Sequence, residues 1–117
     1  MKQIFLGIFK DEQSIIDGFQ LDDDDLYNIT ILFAVYIYEN YYGRAFVLFE
    51  IDGKLYEVNG EHCSCYGLEG QWEPEETTIE DIKYRLTEGE LGYDSYDGEN
   101  YFRNELIDYI GEEYKNG

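Results

Sequence analysis

The spacing of apolar residues changes period along the chain, and the changes mark its elements. Gln3 to Phe9 is an apolar stretch that predicts a short strand. Asp11 or Ser14 then starts a short helix carrying Ile15, Ile16 and Phe19, with Gly18 limiting its length. Asp22-Asp23-Asp24-Asp25 follows, a run of like charges that must sit in water or load a helix N-terminus. Ile29–Tyr38 is rich in β-branched and aromatic residues and apolar at both alternating positions, which predicts a central strand. Glu39–Gly43 reads as a connection, and Ala45–Ile51 as the next strand. Asp52-Gly53 is a type I′ hairpin signal, because both central positions of that turn need φ > 0. Lys54–Asn59 returns, and Asn59-Gly60 is a second turn signal.

The period then lengthens to that of a helix. Pro74 with Glu75, Glu76, Thr77 and Thr78 reads as a helix start, with Thr77 and Glu80 at capping-box spacing. Ile79, Ile82 and Leu86 fall on one face, and Gly89 ends the run. Residues 88–99 form a loop rich in glycine and acids. Glu99 or Asn100 starts a last helix, with Phe102, Leu106, Tyr109 or Ile110, and Tyr114 on its apolar face. Glu105, Asp108, Glu112 and Glu113 cover its wet side. These elements predict an α+β fold, with a small antiparallel sheet of three to four strands packed with two to three helices in a single domain spanning 1–117.

Charge changes this picture most. Against 8 basic residues stand 27 acidic ones, for a net charge of −19 over 117 residues. Disorder is not the reason, because 44% of the residues are hydrophobic and 18% aromatic, enough for one core. Such a surface repels nucleic acid and anionic membrane and attracts strongly basic proteins. A domain of this length has a radius of gyration of roughly 13 Å, so it is about 35 Å across. Duplex DNA of that length carries about 20 negative charges. The chain therefore matches the charge of the DNA segment it could replace.

Residues 1–9 are followed by Lys10-Asp11-Glu12 without a small-residue cleavage site, so no secretory signal is expected. No apolar run approaches the ~18 residues that span a membrane. Cys63 and Cys65 are too close for a sound mutual disulfide, which points to a reducing cytosol.

His62, Cys63 and Cys65 are the one cluster of soft ligands and could contribute to a zinc site. An extended segment would send His62 to one face and both cysteines to the other, and a fourth ligand is needed, so the expectation is no metal and no cofactor. The same divergence argues against a Cys63 nucleophile with His62 as its base, and acidic surroundings raise a thiol pKa. Asp22–Asp25 and Asp94–Glu99 read as solvated loops rather than cation sites, since the EF-hand pattern is absent. The tyrosines offer two readings. Tyr36, Tyr38, Tyr41, Tyr42, Tyr93, Tyr96, Tyr101, Tyr109 and Tyr114 are mostly interleaved with acids, so they could form a protein-binding face or bulk out the core and its rim.

Three strings, GRAFVLFE (Gly43–Glu50), DGKLYEVNG (Asp52–Gly60) and HCSCYGLEGQWEPEETT (His62–Thr78), resemble small acidic proteins of bacteriophages and prophages. The resemblance contains no catalytic motif and therefore transfers no site residue. It implies a phage protein acting in the host bacterial cytoplasm. In charge and size, though in no motif, the chain is also similar to the DNA mimics with which phages block restriction enzymes, CRISPR effectors or DNA glycosylases.

The expectation is a non-enzymatic inhibitor that binds a basic nucleic-acid-binding host protein and contacts neither nucleic acid nor membrane. Its carboxylates would come from Glu73, Glu75, Glu76, Glu80, Asp81, Asp94, Asp97, Glu99, Glu105, Asp108, Glu112 and Glu113. The alternative is an interaction module with a Tyr-rich face, whose acidity serves solubility.

Overall fold

In the computed structural model, residues 3–39, 42–63, 67–94 and 99–113 are described. The architecture is α+β, and the chain divides into two units, Lys2–Glu76 and Thr77–Gly117.

The first unit is built on a sheet whose strands run in chain order: β1 (Ile4–Gly7), β2 (Thr30–Glu39), β3 (Tyr42–Ile51), β4 (Lys54–Cys63) and β5 (Glu75–Thr77). The sheet has five strands rather than three to four, and it is mixed rather than antiparallel. β1 pairs with β2 in parallel, from Ile4 opposite Phe33 to Gly7 opposite Tyr36. Parallel neighbours need a crossover, and helix α1 (Glu12–Phe19) lies in the connection that supplies it. Asp11 and Ser14 both start α1. The Asp11 carboxylate accepts from the Ser14 backbone N–H at 2.9 Å, and the Ser14 Oγ accepts from the Asp11 N–H at 3.1 Å. Gly18 lies inside the helix, which ends at Phe19 with Gln20 in the left-handed region. The acidic run forms a single 3-10 turn, Asp23–Leu26, with its aspartates exposed.

The Asp52-Gly53 hairpin stands where expected, with φ of 52° and 83° at its two residues. Asn59-Gly60 is not a turn. β4 runs through it to Cys63, because Gly60 serves a close approach instead: a Cβ there would lie 2.9 Å from Leu68 Cδ2. A β-bulge between Ile31 and Phe33 shifts the alternation of β2, so that Ile31 and Ala34 belong to the same buried cluster. That cluster joins Ala45, Val47, Phe49 and Val58 with Phe9, Ile15 and Phe19. Phe49 is stacked by Trp72 and by Tyr56, each at 5.7 Å between centroids. Each fully buried aromatic or aliphatic side chain here contributes about 1.5–3 kcal/mol relative to exposure.

The second unit holds α2 (Ile79–Glu88), α3 (Arg103–Glu113) and a two-stranded ribbon, β6 (Tyr93–Asp94) with β7 (Glu99–Asn100). The ribbon corrects the reading of 88–99 as loop alone. α3 starts at Arg103 rather than at 99 or 100, because Asn100 stays outside and its Oδ1 accepts from the Arg103 N–H at 2.9 Å. The expected apolar residues Ile79, Ile82, Leu86, Phe102, Leu106, Tyr109 and Ile110 are buried, whereas Tyr114 lies outside the described residues.

Candidate protein-binding surface

α2 presents carboxylates at its N-terminus. Its cap is Thr78, whose Oγ1 accepts from the Asp81 N–H at 3.1 Å. Thr77, expected to cap, is instead the buried last residue of β5. Glu80 and Asp81 occupy the first turn, where negative charge is favoured by the helix dipole. Asp81 also pairs with Arg85 one turn on, at 3.0 Å.

α3 presents a longer row. Glu105, Asp108 and Glu112 are exposed, and their i, i+3, i+7 spacing puts them on one face. Neighbours in such a row lie about 5–6 Å apart. Among the described residues none of the three makes an ion pair or hydrogen bond. Glu113, expected on the same wet side, is half-buried.

The remaining acids divide. Glu73, Glu75 and Glu76 are exposed, but Glu75 and Glu76 lie on β5. The sequence placed these two at a helix start; on a strand, consecutive residues point to opposite faces, so they do not share one face. Asp94 and Glu99 are cross-strand partners in the β6–β7 ribbon, and Asp97 lies outside the described residues. A further exposed group was not assigned to the binding set: Asp11, Glu12, Asp17 and Asp22 to Asp25, on and beside α1. The run of four aspartates was the available signal for it.

His62 takes up a structural position. Its ring is buried, its Nδ1 lies 2.8 Å from the Cys63 carbonyl oxygen and its Nε2 lies 2.5 Å from the Tyr36 hydroxyl. A carbonyl can only accept, so Nδ1 carries the proton and Nε2 accepts from Tyr36. Both ring nitrogens are therefore engaged. Cys63, one position on along β4, is exposed on the other face, as the alternation predicts. This separates the two groups of the Cys–His pair. Cys65 lies outside the described residues, and among those described no three His, Cys, Asp or Glu side chains gather as metal ligands.

Burial pushes the Tyr36 phenol above its ordinary pKa, with Tyr38 and Glu69 adding to the shift. Burial also raises the Tyr42 phenol. Its hydrogen bond to Glu61 at 2.5 Å adds to the rise, and nearby Arg44 opposes it. The Glu69 carboxyl is held below the usual range, first by hydrogen bonds from its own backbone N–H and that of Gly67. Slight burial opposes this, and His62 adds to it only in its doubly protonated, cationic form.

The tyrosines split between core, rim and surface. Tyr109 is buried; Tyr36, Tyr42, Tyr56, Tyr93 and Tyr101 are half-buried. Tyr38 is exposed, while Tyr27 and Tyr84 stand out at 77% and 65% exposure. Tyr41 and Tyr96 lie outside the described residues. No helix among the described residues is long and apolar enough to cross a membrane. No protein-family model, curated protein or solved structure matches the chain.

Proposed function

We propose that this protein is a phage-encoded inhibitor that acts in the host bacterial cytoplasm. It would occupy the basic DNA- or RNA-binding site of a defence protein, a CRISPR effector or restriction enzyme, as an acidic mimic of nucleic acid and without catalysis. The observation that carries this reading is the row Glu105, Asp108 and Glu112 on α3, exposed and, among the described residues, without an ion-pair partner, in a chain of net charge −19. Glu112 lies in the last turn of α3, where no basic residue among those described offsets the helix dipole. A carboxylate there opposes folding slightly, so local stability does not account for it.

Electrostatic steering would make association fast and salt-sensitive. The test is retention of bacterial lysate proteins on the tagged chain, eluted by rising salt and identified by mass spectrometry. A nuclease or CRISPR effector that elutes with salt, and is lost with the combined variant Glu105→Gln, Asp108→Asn, Glu112→Gln, supports mimicry. A partner retained regardless of salt and of those substitutions overturns it.

The second reading, a Tyr-bearing interaction module, rests on the exposure of Tyr27 and Tyr84. It requires that Tyr27→Ala or Tyr84→Ala, rather than the carboxylate changes, release the partner.

A further inference from the structure

Within the second unit, α2 and α3 leave an open groove of about 280 Å³ between them. Lys83, Leu86 and Thr87 line it from α2, and Ile107, Ile110 and Gly111 from α3. Its walls are almost wholly apolar, and Ile107 is 40% exposed along it. The volume falls just under the roughly 300–1,000 Å³ of small-molecule sites, and suits an inserted side chain better than a cofactor.

Gly111 points to what fills the groove. A glycine inside a helix forms that helix less well than alanine, so its presence calls for a local reason. Gly18 of α1 has such a reason inside the chain, since a Cβ there would stand 3.1 Å from the Phe9 ring. Gly111 has none: a Cβ there meets nothing within 4 Å among the described residues, and its φ is not in the left-handed region. Gly111 itself is exposed.

Charge narrows the occupant. Asp108 lies three residues, about one turn, before Gly111 on α3, and Glu80 stands in the same relation to Lys83 on α2, so each carboxylate neighbours a groove-lining residue. Lys83 is the one cation among the described residues that line the groove, and its aliphatic stem can serve as wall. An apolar slot beside carboxylates complements a helical segment that carries an apolar residue between lysines or arginines.

We infer that the α2–α3 groove receives an apolar anchor side chain from a basic helical segment of the partner, seated over Gly111, while the neighbouring carboxylates engage the flanking cations. This rests on the proposed function in requiring a basic protein partner. It goes further in making part of the affinity apolar and localised.

Two helical peptides of equal charge separate the ideas. One carries two leucines a turn apart among lysines, and its twin carries serines in their place. Binding to the full chain is followed by fluorescence anisotropy at several salt concentrations, with Ile107 and Ile110 methyl signals as the site report. The leucine peptide should bind roughly tenfold tighter, as burial of a large apolar side chain provides. It alone should shift those methyls. Gly111→Leu fills the groove with a better helix former and should abolish the preference while keeping the salt-dependent affinity and the helical circular dichroism. Equal, salt-sensitive binding of both peptides overturns the groove and leaves the acidic-mimic reading standing. No binding of either at low salt overturns both.

Discussion

The hydrogen bond between His62 and Tyr36 has its direction set from the far side of the imidazole. Nδ1 donates to the Cys63 carbonyl, which leaves Nε2 to accept from the phenol. The ring can lie there because the residue beneath it has no side chain. Tyr38, Gly43 and His62 are successive cross-strand partners on β2, β3 and β4. The Tyr38 and His62 rings approach to 5.2 Å across that gap.

Tyr36→Phe removes the donor at Nε2 while keeping the ring that contacts Phe9 at 5.3 Å. Loss of a hydrogen bond to a buried acceptor costs about 1–3 kcal/mol. The urea midpoint should fall accordingly with the slope unchanged. An unchanged midpoint would mean that water replaces the phenol at no cost.

Gly43→Ala tests the gap directly. The new Cβ would lie 2.3 Å from His62 Nε2, so the imidazole or the strand must move. A steric conflict of this kind costs typically about 1–3 kcal/mol. Because the clash is with one ring, His62→Ala in the same chain should recover much of the loss. A double-mutant cycle measures that coupling, and additive costs would refute the contact.

Alkaline titration reads the two raised phenols. Tyr36 and Tyr42 both have folded-state values above the ordinary 10.0. The folded chain therefore holds those protons when the unfolded chain has released them. Their contribution to stability is fully present below pH 10 and is lost as pH rises through the folded values. Unfolding at increasing pH should show this fall, and Tyr36→Phe with Tyr42→Phe should flatten it. In phenolate absorbance these two tyrosines should ionise above the ordinary 10.0.

The same residues show how far the sequence alone carries. Asp52-Gly53 was legible as a turn because a type I′ hairpin demands two positive φ values and few residue pairs supply them. Asn59-Gly60 is an equivalent turn signal, but its glycine answers to Leu68, a contact eight residues on that no local pattern encodes. The apolar faces of α2 and α3 were legible from their period. The cap of α2 was misplaced by one residue, because Thr77 and Thr78 both offer a hydroxyl and β5 claims the first. β5 itself, only three residues of Glu-Glu-Thr, has no apolar alternation to announce it. Exposure of the α3 acids could be read from the helix. Which acids share a face elsewhere could not, because Glu75 and Glu76 lie on a strand rather than a helix.

The two ends of the α3 row should respond oppositely to neutralisation. Glu105 lies in the first turn, where its charge favours the helix dipole, and Glu112 in the last, where it opposes it. Neither has an ion-pair partner to lose among the described residues. Glu105→Gln should therefore lower stability and Glu112→Gln raise it, each by about 0.3 kcal/mol or somewhat more at low salt. General relief of self-repulsion in a chain of net charge −19 adds a stabilising increment to both, so the difference between the variants is the quantity to measure. That difference should shrink as sodium chloride is raised past the point where the Debye length falls below about 8 Å. Thermal midpoints of the two single variants over a salt series would check it. Equal shifts at every salt concentration would mean that the row acts only through net charge. Opposite shifts that fade as salt is raised would show that Glu112 is held at a position that costs the helix stability.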